Sequence, residues 1–181
     1  MKLLGISGSL RQGSFNSALL RAAVKLAPAG IEFETFSLAE IPLYNDDVRV
    51  AGFPEPVQAL RAAIARAEAL LFVSPEYNFS IPGVLKNAID WASRQPDQPF
   101  AGKPVAIMSA STGMLGGARM QYHLRQVCVF VDMHPLNKPE VFVGQASSKF
   151  DAQLELTDET TKRAIVTQLE ALQRFRENLK T

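Results

Sequence analysis

Residues 5–16, GISGSLRQGSFN, gather three Ser, three Gly, one Arg and one Asn directly behind a short apolar run. Their chemistry is that of an anion site. Ser7, Ser9 and Ser14 bring hydroxyls, Asn16 an amide, and Arg11 a fixed positive charge. Gly8 and Gly13 let the backbone turn tightly and approach a ligand closely. A helical pattern starts near Asn16, so unpaired backbone N–H groups and a partial positive charge point back at the loop. Together these make a phosphate cradle. The spacing is not GxxxxGK(S/T), and no Lys stands where a triphosphate loop needs one. It is not GxGxxG, the signature of a bound dinucleotide pyrophosphate, and it lacks the Cys of a small phosphatase loop. A single monophosphate held by N–H groups, hydroxyls and one Arg fits best. The plainer alternative is a Ser/Gly turn with Ser14 or Asn16 as a helix cap. One cap needs one such residue, not six.

Two later loops offer a different surface. In SPEYNFSIPGVLKNAIDW, residues 74–91, Pro75 and Pro82 stiffen the backbone, Tyr77 and Phe79 bring aromatic faces, and Glu76 and Asn78 bring polar groups. A planar heteroaromatic ring with polar edges can lie against such a loop. The segment also reads as a helix start, with Ser80 as cap and Pro82 just inside. In SASTGMLGG, residues 109–117, Ser111, Thr112 and Gly113 are placed to meet the far edge of the same ring. Gly116 and Gly117 read equally well as the lead-in to a helix.

Other chemistries find little support. There are two histidines, His123 and His134, and no evident Ser-His-Asp or metal-ligand spacing. Cys128 stands among Val127, Val129 and Phe130, where a core role is the simplest reading. One cysteine allows no internal disulfide, which fits a reducing compartment. A net charge of +1 argues against a dedicated nucleic-acid binder. No apolar run approaches the ~20 residues that span a bilayer, and the N-terminus does not read as a signal peptide. The expectation is a soluble cytoplasmic protein. Arg119, Tyr122 and Arg125 share helical spacing and read either as a solvated face or as a subunit or donor contact.

The elements that position these loops alternate along the chain. At 181 residues and 47% hydrophobic, the chain suits one domain, residues 1–181, with a full core. Strands are expected at 2–7, 31–36, 69–73, 104–109 and 141–143. ALLFV at 69–73 is a continuous apolar run, as in a strand buried on both faces. Helices are expected from Asn16 (Leu19, Leu20, Ala23, Val24 and Ala27 inward), over Val57–Ala67, over Leu85–Ala92, over Met120–Val131 (Met120, Leu124, Val127 and Val131 inward) and from Thr157. Residues 41–56 read as a long loop. Alternating strands and helices imply an α/β fold, a parallel sheet covered on both faces. The common five-stranded order is 2-1-3-4-5, and its ligand crevice opens at the carboxyl ends of strands 1 and 3. The two most unusual loops of the chain follow those two strands.

GSLRQGSFN, SPEYNFSIPGVLKNAIDW and GKPVAIMSASTGMLGGAR together resemble the NADPH-dependent FMN reductase family, the flavodoxin-like group of quinone, chromate and azo-compound reductases. The resemblance runs from the first strand to about Val143; the final helix matches only in type. It implies a flavodoxin-like three-layer sandwich, bound FMN, NADPH or NADH as electron donor, and a homodimer or homotetramer. By motif, Ser9, Arg11, Ser14, Phe15 and Asn16 would hold the FMN phosphate, Phe15 through its backbone. Pro75, Glu76, Tyr77 and Asn78 would line the ring, largely through main-chain groups, with Ser111 and Gly113 near its polar edge. The mechanism expected on this reading is ping-pong electron transfer to small-molecule acceptors (quinones, chromate, azo or nitro compounds, free flavin); charge and hydropathy, as above, give no nucleic-acid partner and no membrane insertion. Two alternatives stay open: a flavodoxin-type electron carrier, disfavoured by the near-neutral charge because carriers steer by charge asymmetry, and an enzyme for another mononucleotide.

Overall fold

In the computed structural model, which describes residues 1–179, a parallel sheet runs in the order β2-β1-β3-β4-β5. Its strands are β1 (Lys2–Ser7), β2 (Glu32–Phe36), β3 (Ala69–Val73), β4 (Pro104–Ala110), β5 (His134–Pro135) and β6 (Val141–Val143). The helices are α1 (Phe15–Lys25), α2 (Asp46–Ala51), α3 (Glu55–Arg66), α4 (Gly83–Ala92), α5 (Ala118–Phe130) and α6 (Glu159–Asn178). Every residue of β3 and β4 is buried. That burial is why β3 reads as an unbroken apolar run and β4 as one broken only by Ser109, with no period-2 alternation. β2 lies at the sheet's edge, and its exposed Glu32 and Glu34 discourage pairing with another chain.

Helices cover both faces, giving three layers. On one side Val57 and Leu60 of α3, Leu85 and Ile89 of α4, and Met120 and Leu124 of α5 pack on Leu4, Phe72 and Ile107. On the other, Leu19 and Ala23 of α1 and Ile165, Leu169 and Leu172 of α6 pack on Leu3, Leu71 and Met108. The flavodoxin-like architecture and strand order are those expected from the alternation of patterns.

Three local expectations need correction. The fifth sheet position is filled by two short segments: β5 pairs with Pro104 and Val105, and β6 pairs with Met108, Ser109 and Ala110. The chain leaves the sheet between them. Gln168 of α6 crosses the gap, donating its Nε2 to the carbonyls of Ile107 (3.3 Å) and Pro139 (2.7 Å). A buried strand interrupted in this way needs such a side chain, because its orphaned carbonyls are costly. The 41–56 segment is not all loop, since it carries α2, capped by Asn45, whose Oδ1 accepts the Asp47 N–H at 2.9 Å. No residue of α2 is buried, so no apolar periodicity marked it. Val24 is 38% exposed and not inward, because α1 leaves open the strip beside edge strand β2.

Candidate functional site

The β1–α1 loop stands at the carboxyl end of the central strands, where β1 has β2 on one side and β3 on the other. This is the switch point of the sheet. Gly8 is pinned there: its N–H donates to the Val73 carbonyl at 2.9 Å, and a Cβ on it would overlap the Ser74 hydroxyl. The first two loops can therefore meet closely only with glycine at this position.

Ser14 is the N-cap of α1, its Oγ accepting the N–H groups of Asn16 (3.2 Å) and Ser17 (3.3 Å). The cap of the plainer reading thus exists, yet it leaves most of the loop unexplained. The N–H groups of Leu10, Gln12, Gly13 and Phe15 find no acceptor among the described residues. Arg11 is exposed and folds its Nη2 back onto the Gly13 carbonyl at 2.6 Å. Gly13 avoids the left-handed region, and a Cβ there would meet nothing within 4 Å. Nothing in the folded chain requires this glycine, so a ligand that approaches the backbone is the remaining reason for it. Unpaired N–H groups, the positive end of α1 and one guanidinium form a donor set that fits a phosphomonoester.

Asn16 plays a second part that its sequence position does not reveal. It is 3% exposed. Its Nδ2 donates to the Ala110 carbonyl at 2.9 Å and its Oδ1 accepts the Ala110 N–H at 2.8 Å. The amide is fully committed to the end of β4, so toward a ligand this residue offers its backbone. Phe15 lays its ring 5.4 Å from that of Phe150 and leaves its own N–H facing the loop.

After β3 the chain makes a tight turn. Tyr77 and Ser80 exchange both backbone hydrogen bonds (3.1 and 3.0 Å), with Asn78 (φ 51°) and Phe79 (φ 63°) left-handed between them. Two left-handed residues in succession define a type I′ turn. Phe in that region is strained by roughly 1–3 kcal/mol and persists only where its surroundings hold it. Here α5 does so. The Arg119 guanidinium lies 4.0 Å from the centre of the Phe79 ring. The Glu76 carboxylate accepts the N–H groups of Arg119 (3.0 Å) and Met120 (3.3 Å). The Ser80 hydroxyl lies 2.9 Å from His123 Nδ1. Ser80 is therefore not the cap of α4; that position belongs to Pro82, which has no side-chain cap bond.

The loop after β4 closes the third side. Ser111 donates its N–H to the Val143 carbonyl at 3.0 Å and its hydroxyl to the Gly113 carbonyl at 3.2 Å. Gly113 also receives the Gln145 N–H at 3.0 Å. Gly117 is the left-handed N-cap of α5 (φ 85°), and a Cβ on it would sit 2.8 Å from that of Ser109. Tyr77, Phe79, Met114 and Leu115 are all half-exposed or more on these two loops. Their apolar faces form an open shelf beside the cradle, matched to a planar ring. FMN, with a phosphate at one end and a flat ring at the other, fits this set of donors and faces.

The remaining candidates make their hydrogen bonds away from the cradle and shelf. Cys128 is buried, and desolvation pushes its thiol up to about 12. Arg125 reaches the Leu136 carbonyl (2.8 Å) and Asn137 (3.1 Å). The Tyr122 hydroxyl donates to Glu140 at 2.9 Å, which raises the tyrosine's pKa. Glu140 is held below the usual carboxylate range chiefly by its hydrogen bond from Lys138. Among the described residues no group of His, Cys, Asp and Glu is arranged to hold a metal. No helix there is long and apolar enough to cross a membrane.

The family description NADPH-dependent FMN reductase matches residues 1–148. An NAD(P)H-dependent FMN reductase of Pseudomonas aeruginosa is 58% identical, over 96% of this chain and 94% of that protein. A quinone reductase of Escherichia coli is 48% identical, over 99% and 97%. Among solved structures, the flavoenzyme NAD(P)H:(acceptor) oxidoreductase FerB of Paracoccus denitrificans superimposes with a TM-score of 0.88 at 35% identity, covering 98% of this chain and 97% of that one. On the cradle, the shelf and these likenesses together, the chain belongs to the NADPH-dependent FMN reductase family.

Proposed function

We propose that this chain is an FMN-dependent NAD(P)H oxidoreductase that reduces quinones and comparable small-molecule acceptors in a ping-pong cycle. The observation that carries the reading is the cradle at 9–16, with its four unpaired N–H groups beside an open aromatic shelf. The names of the relatives, an FMN reductase and a quinone reductase, support it. Ser9, Arg11, Ser14, Phe15 and Asn16 hold the phosphate, the last two through backbone. Pro75, Glu76, Tyr77 and Asn78 line the ring, and Ser111 and Gly113 meet its polar edge.

Bound FMN supplies the redox chemistry as a two-electron store filled by NAD(P)H and emptied by an acceptor. The protein's part is to bind and orient. Arg11 and the N-terminus of α1 fix one end of the ligand electrostatically. Glu76 and Arg119 hold the shelf rigid from behind, and Tyr77 presents an aromatic face to whatever stacks there. One open face serves donor and acceptor in turn, which accounts for a ping-pong order and for tolerance of chromate, azo and nitro compounds or free flavin. Residues 1–181 act as one FMN-binding domain in a cytoplasmic homodimer or homotetramer with no nucleic-acid partner. Val129 (79% exposed), Phe130 (83%), Leu43 (87%) and Val50 (73%) are apolar surface of the kind that subunits cover.

Steady-state NADPH oxidation at several fixed quinone concentrations tests this. Parallel double-reciprocal lines, with turnover dependent on FMN, are expected. Absence of turnover in the FMN-loaded protein overturns the reading in favour of an electron carrier.

A further inference from the structure

A second cleft opens on the far flank of the cradle from the ring shelf, between α1 and the end of β2. Its volume of about 460 Å³ falls within the range of small-ligand sites, about 300–1,000 Å³. Leu10, Val24 and Phe36 line it with apolar surface, backed by the buried Leu20 and Leu38. Leu10 and Val24 are 54% and 38% exposed, so this apolar surface lies open.

We infer that this cleft binds a small apolar monoanion, a carboxylate on a hydrocarbon body, at a site separate from the cradle and shelf. The lining sets the charge. Its charged side chains are Arg21 and Lys25, and no carboxylate is among them. Lys25 is spent on Glu155 at 2.6 Å. The Arg21 guanidinium has no partner among the described residues. One unspent positive charge selects one negative charge. The hydroxyls agree. Ser9 Oγ accepts the Arg11 N–H at 3.4 Å, and Ser37 Oγ accepts the Ala39 N–H at 3.3 Å. Neither O–H finds an acceptor among the described residues, so both are left as donors. A group that only accepts, such as a carboxylate, matches them.

The walls set the rest of the ligand. Arg21 and Val24 stand three positions apart on α1, neighbours on its surface, so one molecule can meet both with head and body. Covering Leu10 and Val24 removes apolar surface from water, which an inorganic anion cannot do. Two linked phosphates would need more than the single free cation. An uncharged hydrocarbon would leave the guanidinium and both hydroxyls without a partner. The cleft lies on the β2 side of β1, whereas the shelf follows β3 and β4. Its occupant therefore does not stack on the ring and takes no electrons there; this separation rests on the flavin reading above, while the binding itself does not.

The test is calorimetric titration of the FMN-loaded protein with 2-naphthoate and with its uncharged analogue 2-naphthylmethanol, in wild type, Arg21→Gln and Val24→Glu. Both altered residues are exposed, so both variants should fold; circular dichroism checks this. Wild type is expected to bind naphthoate about tenfold more tightly than the alcohol, the scale of one charge-assisted contact. Arg21→Gln is expected to remove that difference, with the alcohol unmoved. Val24→Glu is expected to weaken naphthoate by about tenfold or more. NADPH–quinone turnover and the KM for quinone should stay unchanged in both variants and with naphthoate bound. Wild type that binds no naphthoate, or binds acid and alcohol alike, overturns the inference, as does naphthoate affinity unchanged in both variants. Competition between naphthoate and quinone overturns it in favour of the shelf. A raised KM for NADPH in Arg21→Gln overturns it in favour of the donor's phosphates. Protein that binds naphthoate in this way but takes up no flavin overturns the cradle alone, a distinct result.

Discussion

Glu76 caps a helix that begins more than forty residues later: its Oε2 accepts the Arg119 N–H at 3.0 Å and the Met120 N–H at 3.3 Å, while the Arg119 guanidinium returns to its Oε1 at 3.2 Å. The N-cap residue of α5, Gly117, has no side chain to offer. A carboxylate from the ring loop thus satisfies the helix and couples the two loops that form the shelf. Glu76→Ala is expected to cost about 1–2 kcal/mol in urea denaturation, the range for a lost cap, and to weaken FMN binding as well. Glu76→Gln should recover part of both. Unchanged stability in Glu76→Ala would show the cap to be dispensable.

Gly13 separates a ligand's needs from the fold's. Its missing Cβ faces open space and its backbone is not left-handed. Gly13→Ala is expected to leave stability unchanged or raise it by about 0.4–1 kcal/mol through the unfolded chain, and to weaken FMN by crowding the phosphate. Thermal melts and FMN titration on one preparation check both halves. A stable variant with normal FMN affinity would move the phosphate away from this loop.

Asn16→Ala should act in the opposite sense. It strips both partners from the Ala110 N–H and carbonyl, each buried. Unsatisfied buried groups cost about 1–3 kcal/mol each, so a large loss in denaturation midpoint is expected even without flavin. A loss of FMN affinity with unaltered apo stability would instead make the side chain a direct ligand contact.

Cys128 gives the protein a pH-dependent term. Burial raises its thiol to about 12, above the unfolded value of roughly 8.5. A raised folded pKa contributes stability that is intact below the unfolded value and lost as pH climbs toward the folded one, because the unfolded thiol ionises first. Stability measured from pH 8 upward should therefore decline more steeply in wild type than in Cys128→Ala. Native protein should also resist thiol reagents until it unfolds. Equal slopes, or rapid labelling of native protein, would contradict this.

How far the sequence foretold these features depends on the distance between partners. β1, β3 and β4 were legible because central parallel strands are buried on both faces and carry apolar runs, Leu3–Leu4, 69–73 and 104–108. Ser14 was legible as a cap because its partners lie two and three residues away. The roles of Asn16 and Glu76 were not, because Ala110 and Arg119 are 94 and 43 residues distant. The split of the last strand was hidden too: His134–Pro135 is too short to carry a period, and the Gln168 that bridges the gap sits on α6. For Ser80, helix-start chemistry pointed to a cap, whereas the I′ turn at Asn78 and Phe79 carries its hydroxyl to His123 instead. Two non-glycine residues in that turn gave no glycine signal to read.

The phosphate grip is tested most directly by titrating flavin-free protein with FMN and with riboflavin, which differ only in the phosphate, in wild type and Arg11→Ala. FMN is expected to bind far more tightly than riboflavin. Arg11→Ala should narrow that gap by about 1.5–3 kcal/mol, the worth of a hydrogen bond to a charged group, with riboflavin affinity unmoved. Equal affinity of the wild-type protein for the two flavins would contradict the account.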